Sequence, residues 1–135
     1  MSSRKITDLH PNLQPKCLAF LGLCAEAGIP VMLTCTYRSQ AEQDALYAQG
    51  RTTPGRKVTW TRFSRHSNTI NGKPAATAFD IAILSDGKPT WDLKVDVNKD
   101  GIPDYQNVGK IGERLGLEWG GRWKSPDYPH FQLEV

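Results

Sequence analysis

Residues 76–84 alternate between bulky apolar and small or charged side chains, and no other stretch of the sequence constrains the fold as strongly. Successive side chains of a β-strand point to opposite faces, so the bulky positions share one face. These positions are Phe79, Ile81 and Ile83. Asp80 falls on the opposite face between two alanines, which leaves open space above its carboxylate. The pattern predicts a strand with one face in the core and one carboxylate on the other.

The last six residues repeat this arrangement. Apolar side chains occupy alternate positions, which are Phe131, Leu133 and Val135. His130 falls on the other face, so two such strands in one sheet could place Asp80 and His130 together. Asp127 precedes His130 by three residues, in a segment rich in aromatics, Gly and Pro. The C-terminal stretch is therefore a candidate source of reactive groups.

The remaining elements follow from hydrophobic periodicity, capping residues and turn signals. Ser39 and Glu42 have the spacing of a capping box, which starts a helix at Ser39. The predicted elements are a helix over 13–27, a strand over 31–37, a helix from Ser39 that ends at Gly50, a short strand over 58–61, a turn over 71–74 and a helix over 105–115. Residues 1–10 are polar and are expected to be loosely ordered.

Length and composition bound the class of protein. With 135 residues, 39% apolar and 23% charged, the chain is expected to form one soluble globular domain over 1–135. The net charge of +3 is spread without a Lys/Arg run, so a solvated surface is favoured and no nucleic-acid partner is expected. The sequence shows neither an apolar run of spanning length nor a leader, which predicts cytoplasmic synthesis and no stable membrane association.

The three cysteines lie among apolar residues at Cys17, Cys24 and Cys35. Cys17 and Cys24 fall about two turns apart on a predicted helix, which is too far for a disulfide. All three are predicted to be reduced core residues, which favours synthesis in a reducing compartment.

Residues 96–107 resemble a calcium-binding loop of the EF-hand type. Oxygen-bearing side chains fall at loop positions one, three, five and nine, and Gly101 falls at position six. The candidate ligands are Asp96, Asn98, Asp100, Ile102 and Asp104. Asn107 occupies position twelve, where a bidentate Glu is expected. Calcium binding and a tight, Asx-rich turn both remain open.

Two of the histidines, with Asp80, form a candidate metal site. A catalytic zinc ion takes three protein ligands and leaves a position for water, and His66, Asp80 and His130 would form such a set. Two neutral imidazoles and one carboxylate leave a zinc site with a net charge of about +1, which acidifies water. Structural roles for the same residues remain open on spacing alone.

Four short motifs make the chain resemble a known family. They are Ser64-x-His66, Ala78-x-Asp80, Trp119-Gly120-Gly121-x-Trp123 and Asp127-x-x-His130-Phe131. The chain resembles zinc peptidases of the D-alanyl-D-alanine carboxypeptidase type, above all phage endolysins and bacterial wall enzymes that act as L-alanyl-D-glutamate endopeptidases. The segment around Tyr37-Arg38-Ser39 and Gly50-Arg51-Thr52 is also similar to this group. The resemblance runs from about residue 34 to the C-terminus.

The resemblance implies a fold and a set of roles. The fold is α+β and hedgehog-like, with a small antiparallel sheet carrying the zinc site and helices packed on one side. Zinc is implied on His66, Asp80 and His130. Asp127 is implied as the general base, which takes a proton from the attacking water and delivers it to the leaving amine. Arg38 would polarise the carbonyl oxygen or hold a substrate carboxylate.

Gln43 and Ser64 are implied to bind substrate or to support the ligands. One departure from the family is the spacing between His66 and Asp80, with Ala76 where a Gly is common, so residues 67–75 are interpreted as an inserted loop beside the metal. The loop leaves the ligands in place and bears on substrate preference. Calcium binding is not carried over from the family.

The implied activity is hydrolysis of the L-Ala–D-Glu bond of peptidoglycan stem peptides. The expected setting is a monomeric phage endolysin with no separate wall-binding domain, made in the host cytoplasm and released to the wall by a holin. A D-alanyl-D-alanine carboxypeptidase or dipeptidase is the close alternative. A non-catalytic wall-binding module is the third hypothesis, and Asp127 argues against it because such a module needs no carboxylate beside the metal.

Overall fold

The computed structural model describes residues 2–135. Its elements in chain order are a 3-10 turn (Ile6–Asp8), α1 (Gln14–Glu26), β1 (Val31–Cys35), α2 (Gln40–Ala48), a 3-10 turn (Arg65–Ser67), β2 (Thr69–Ile70), β3 (Lys73–Pro74), β4 (Ala78–Ser85), β5 (Lys88–Thr90), α3 (Asp104–Arg114), β6 (Glu118–Trp119), a 3-10 turn (Gly120–Arg122) and β7 (His130–Gln132). Within the described residues, no helix combines the length and the apolar character needed to cross a bilayer.

The main sheet is antiparallel and is organised around β4. Its strand order is β1-β4-β7-β6, and β5 also pairs with β4. Asp80 on β4 stands opposite His130 on β7. Across the other edge of β4, Asp80 is the partner of Cys35 at the end of β1. The predicted α+β class with an antiparallel sheet is confirmed. The sheet register places Asp80 and His130 side by side on neighbouring strands.

The core lies between one face of the sheet and two helices. The bulky side chains of β4 predicted for this face are fully buried. Phe20 of α1 packs against Phe79 and Phe131, with ring centroids 5.4 Å and 4.7 Å apart. Each fully buried apolar side chain of this size contributes about 1.5–3 kcal/mol relative to exposure. This packing fixes β4 and β7 from behind.

Two glycines let α3 approach the sheet closely. A Cβ at Gly109 would overlap the indole of Trp119, and a Cβ at Gly112 would overlap the ring of Phe131. Both glycines therefore accept aromatic rings of β6 and β7 directly against the helix backbone. Phe131 is the residue after His130, so this contact helps to fix the position of the histidine.

Residues 67–75, interpreted from the sequence as an inserted loop, form a short hairpin of β2 and β3. Asn71 and Gly72 connect the strands with φ of 52° and 76°. Positive φ at both central residues is the requirement of a type I′ hairpin turn, and Asn-Gly meets it at little cost. The predicted turn over 71–74 is thus the tip of this hairpin.

Three predictions are wrong. Val135, predicted on the buried face of the last strand, lies beyond the end of β7 and is 64% exposed. Residues 58–61 do not form a strand, because no neighbouring strand offers them a ladder within the described residues.

Residues 2–10 belong to the segment expected to be loosely ordered, and they are tied to the sheet region; Met1 lies outside the described residues. Ser3 exchanges backbone hydrogen bonds with Thr36 and Tyr37, both 2.7 Å long. Leu9 is 1% exposed in the core, which explains why this polar segment takes a fixed path.

Candidate active site

The three predicted ligands converge on the polar face of the sheet. Asp80 comes from β4, His130 from β7, and His66 from the 3-10 turn Arg65–Ser67. His66 Nε2 lies 3.2 Å from Asp80 Oδ2, and His130 Nδ1 lies 3.0 Å from Asp80 Oδ1. The two imidazole rings stand 5.3 Å apart, nearly perpendicular. The carboxylate therefore sits between two imidazole nitrogens.

Hydrogen bonds on the outer side of each ring select its tautomer. His66 Nδ1 lies 2.8 Å from the carbonyl oxygen of Thr36, so it donates its proton there and presents Nε2 to the site. His130 Nε2 lies 2.9 Å from Gln132 Oε1, an arrangement that presents Nδ1. Such outer partners are what orient histidines that bind metals. Both inward-facing nitrogens can then offer a lone pair.

His66 Nε2 is the atom whose surroundings best fit a metal ion. It is buried and has no hydrogen-bond partner among residues 2–135, although Asp80 Oδ2 stands 3.2 Å away. An unsatisfied buried polar atom costs about 1–3 kcal/mol, and a cation would satisfy it. Two imidazole nitrogens and a carboxylate are ligands that divalent metals of the zinc type accept.

Charge is concentrated in this buried cluster. Burial alone would lower the pKa of His66, but the adjacent Asp80 carboxylate, together with Cys35, raises that pKa to about 10. Burial works to raise the pKa of Asp80, and the hydrogen bond from His130 with the proximity of both histidines outweighs it, so this pKa falls well below its usual range. Without a metal, the pair behaves as an imidazolium–carboxylate ion pair.

Asp127 stands beside the cluster at the surface of the site. Its Oδ2 lies 4.0 Å from His130 Nδ1, and its side chain is 51% exposed. Its backbone is tied at both ends, because its N–H donates to Gly120 O and its carbonyl accepts from His130 N–H. Burial, and then the charge of Asp80, raises the pKa of Asp127. The carboxylate is thus held near the site with a raised proton affinity.

Arg38 and Gln43 form a hydrogen-bonded pair beside the predicted ligands. Arg38 Nη1 donates to Gln43 Oε1 over 3.0 Å, and the backbone N–H of Arg38 donates to His66 O over 2.9 Å. Gln43 is fully buried and donates to the carbonyl of Thr61 over 2.7 Å. The capping box of Ser39 and Glu42 starts α2 as predicted, which sets Gln43 in the first turn.

A cavity of about 1050 Å³ opens over these residues. Its lining includes His66, Asp80 and His130, residues 58–61 with Phe63, and residues 123–127. Arg38 and Gln43 also line it. A cleft with convergent polar groups and perturbed pKa values is the expected form of an active site.

Comparisons with known proteins agree with this geometry. A peptidase M15 family model, described as D-alanyl-D-alanine carboxypeptidase, matches residues 58–133. The peptidoglycan L-alanyl-D-glutamate endopeptidase CwlK of Bacillus subtilis (strain 168) is 39% identical over 129 residues, which cover 94% of this chain and 74% of CwlK. The chain belongs to the M15 peptidase family. The predicted resemblance is confirmed.

The fold of this M15 peptidase also matches a solved structure. The crystal structure of the Serratia marcescens L-Ala D-Glu endopeptidase ChiX superposes with a TM-score of 0.66 at 24% identity. The match covers 99% of this chain and 89% of ChiX. The small α+β fold described above is therefore the fold of a known peptidase.

Ser64 and Gln43 support the site from behind. Ser64 Oγ accepts from His66 N–H over 3.1 Å and caps the 3-10 turn that carries the histidine. Gln43 accepts a hydrogen bond from Arg38 and is fully buried. Of the two roles expected for these residues, these contacts favour support over direct substrate contact.

Sequence reasoning missed two residues of the site. Gln132 lies two positions after His130 on the same face of β7, and this strand spacing could have signalled its contact with the imidazole. Cys35 was interpreted only as a core residue. Its Sγ lies 3.5 Å from His66 Nδ1 and 3.6 Å from Arg38 Nη2, so it contacts two residues of the site. The register with Asp80 on β4 explains this position.

Residues 96–104 form a turn closed by its own hydrogen bonds. Asp96 accepts from the backbone N–H groups of Asp100 and Gly101, and Asp100 accepts from that of Ile102. Asp104 accepts from Val97 N–H. In the described part of the chain, the His, Cys, Asp and Glu side chains that approach closely enough to share a metal form two groups at the peptidase site and none here; the groups are Cys35–His66–Asp80 and Asp80–Asp127–His130. The geometry supports the Asx-rich turn and gives no support to calcium binding.

Proposed function

We propose that this M15 peptidase is a zinc-dependent endopeptidase that hydrolyses the L-Ala–D-Glu bond of peptidoglycan stem peptides. The observation that carries the proposal is the convergence of His66, Asp80 and His130 beneath an exposed Asp127 in one cavity. The choice of bond is supported by CwlK, which carries that specificity in its name and is 39% identical.

His66 Nε2, His130 Nδ1 and a carboxylate oxygen of Asp80 would hold the zinc ion. The ion supplies Lewis acidity, which activates water and polarises a carbonyl group. Thr36 O and Gln132 Oε1 keep the two imidazoles in the tautomers that this role requires. The Asp80 carboxylate balances part of the positive charge from a position between the rings.

Asp127 moves the proton. Its carboxylate takes a proton from the attacking water, and the same oxygen gives it to the amine nitrogen of D-Glu as the C–N bond breaks. The raised pKa of Asp127 suits both steps, because a more basic carboxylate accepts the proton more readily and still releases it to an amine. Its exposed position beside the floor of the cavity leaves room for substrate.

Arg38 stabilises negative charge on the substrate. Three of its five N–H donors are engaged, by Gln43 Oε1, Ser2 Oγ and Cys35 Sγ, and these contacts fix the guanidinium at the cavity. The remaining donors can face the developing oxyanion or the α-carboxylate of D-Glu. A fixed cation at this place gains strength from the partly enclosed site.

The same proposal includes the biological setting. A monomeric lysis enzyme released to the wall through a holin fits the resemblance to phage endolysins and rests on that resemblance alone. A D-alanyl-D-alanine carboxypeptidase is the second candidate, since the matching family model carries that description. A non-catalytic module is disfavoured by the position of Asp127 beside the ligands.

The test is digestion of purified peptidoglycan by zinc-loaded protein and by protein whose metal a chelator has removed, with mass spectrometry of the products. New N-terminal D-Glu, formed only by the zinc-loaded protein, is the expected result. Release of free D-Ala would transfer the assignment to the carboxypeptidase. Absence of any new terminus with zinc-loaded, folded protein would refute the enzymatic proposal.

A further inference from the structure

Residues 58–63, called here the aromatic wall, present large apolar side chains to solvent along one side of the cavity. Trp60 is 75% exposed and Phe63 is 81% exposed. Both line the cavity over the predicted metal ligands. A cluster of exposed large apolar side chains marks a binding surface more often than a single one does.

The aromatic wall is held in place although it has no regular secondary structure. Side chains outside it donate hydrogen bonds to three of its backbone carbonyls. Gln43 donates to Thr61 O over 2.7 Å, Arg51 to Thr59 O over 3.0 Å, and Gln40 to Arg62 O over 2.8 Å. The exposed rings are therefore presented on a fixed backbone.

The surroundings of the aromatic wall are basic. The segment 51–62 contains Arg51, Arg56, Lys57 and Arg62 and no acidic residue. The Arg51 guanidinium stands 3.9 Å from the centre of the Tyr47 ring, and Lys57 Nζ lies 5.6 Å from that of Trp60. Flat aromatic faces next to cations suit a ligand that combines C–H-rich rings with carboxylates.

The proposed chemistry fixes which part of the substrate faces this wall. Asp127 gives its proton to the D-Glu nitrogen, and Asp127 directly precedes β7. Gln43, which holds the aromatic wall through Thr61 O, follows β1, and β1 and β7 flank β4 on opposite sides. The D-Glu side of the scissile bond therefore extends toward residues 123–127. The L-Ala side extends toward the aromatic wall.

L-Ala is the residue through which a stem peptide joins the sugar of the glycan strand. One extended residue spans about 3.5 Å, so cleavage after L-Ala brings the sugar close to the reacting carbonyl. Cleavage between terminal D-Ala residues would leave the sugar several residues farther away. The L-Ala–D-Glu specificity thus requires a surface that accepts a sugar beside the site.

We propose that the aromatic wall is a sugar subsite, in which Trp60 and Phe63 pack against the muramyl residue that carries the stem peptide. The proposal rests on the proposed endopeptidase function and deepens it. Trp60 and Phe63 are substrate-binding residues that distinguish a glycan-linked stem peptide from a free one. The basic residues around them attract the carboxylates of peptidoglycan.

The test compares two substrates that differ only in the sugar. One is a disaccharide-linked tetrapeptide, and the other is the same tetrapeptide with an acetylated N-terminus. We expect wild-type protein to prefer the first in kcat/KM, and Trp60→Ala to lower the ratio of the two kcat/KM values about fivefold, chiefly through KM. Phe63→Ala should lower the same ratio. An unchanged ratio in both variants would overturn the subsite.

Trp91→Ala is the matched control. Trp91 is also exposed, at 56%, and lies outside the lining of the cavity, so its loss should leave the ratio unchanged. Trp60 and Phe63 are too exposed to belong to the core, and equal melting temperatures will verify that all variants fold. A fall of the ratio in Trp91→Ala equal to that in Trp60→Ala would remove the specific role of the wall.

Binding measurements separate this proposal from the proposed function. Titration calorimetry of Asp127→Asn with each substrate needs no turnover. Tighter binding of the sugar-linked peptide, lost in the Asp127→Asn/Trp60→Ala double variant, supports the subsite whichever bond is cut. Equal affinities for the two substrates contradict it, even if the wild-type protein cleaves both.

Discussion

The two faces of β4 differ in what holds them together. On one face, Phe79 is fully buried against the rings of Phe20 and Phe131. On the other face, Asp80 is flanked by two histidines, one of which has a buried nitrogen without a hydrogen-bond partner within residues 2–135. The apolar face stabilises the fold, and the polar face leaves a histidine nitrogen available to bind a ligand.

This contrast lies within a single strand, so each face positions the other. The rings packed behind β4 and β7 fix the register that sets Asp80 opposite His130. A site with several charged groups close together is costly to fold. The core face offsets that cost, which is how a small protein can maintain a cluster of polar groups in its interior.

The largest effect is expected from breaking the apolar face. Phe79→Ala removes a fully buried ring that contacts both Phe20 and Phe131. We expect the free energy of unfolding to fall by about 3–5 kcal/mol, as measured by urea denaturation. Phe63→Ala is the matched control, because its ring is 81% exposed, and it should change stability by less than about 0.5 kcal/mol. Equal losses would show that the core is misassigned.

The next effect concerns the polar face alone. Asp127→Asn removes the carboxylate that we propose accepts the proton, and it keeps the shape of the side chain. We expect kcat on peptidoglycan fragments to fall by roughly 100-fold or more, while the zinc content per chain stays that of the wild type. Activity within a few-fold of wild type would disprove the role of Asp127 as general base.

A smaller effect is expected from the outer partner of His130. Gln132→Ala removes the acceptor of the His130 Nε2 proton, and we expect zinc affinity to fall by about 10–100-fold, as measured by competition with a chelator. Gln132→Glu keeps an acceptor and should restore most of the affinity. Glu134→Ala is the control, since Glu134 lies two residues farther along and is 72% exposed. An unchanged affinity in Gln132→Ala would remove the orienting role.

The smallest effect is the number of protons that the protein releases when zinc binds. Because the pKa of His66 is raised to about 10, we expect metal-free protein to carry a proton on this imidazole at pH 7. Zinc must displace that proton, whereas Asp80, with its lowered pKa, is already ionised. Calorimetric titrations in two buffers should report release of about one proton at pH 7 from His66, with the release declining as pH rises through about 10. No release at pH 7 would contradict the ion pair.

Much of this contrast was predictable from sequence, because alternation along a strand is a local signal. The alternation in residues 78–84 puts Phe79 and Asp80 on opposite faces of the strand. The antiparallel pairing of β4 with β7 then places Asp80 beside His130. His66 came from the motif resemblance, since its turn lies outside the sheet and has no periodicity.

Other features depend on distant contacts that no local pattern encodes. Residues 58–61 have the β-branched and aromatic composition of a strand, but β-propensity mostly reflects packing beside a neighbouring strand. Their backbone is held by side chains such as Gln43 and Arg51. Gln43 lies 18 residues before Thr61 in sequence, and its buried amide gives no local sign of this role. The ordered path of residues 3–9 likewise depends on Thr36 and Ala76.

The central claim is that the polar face of β4 is built to hold zinc. The most direct measurement is the melting temperature of chelated protein as one equivalent of zinc is added, because a ligand that binds only the folded state stabilises it. We predict that zinc raises the melting temperature of the wild type by several degrees, on the order of 2–4 kcal/mol of stabilisation. His66→Ala should respond little. An unchanged melting temperature in the wild type, or an equal rise in His66→Ala, would contradict the account.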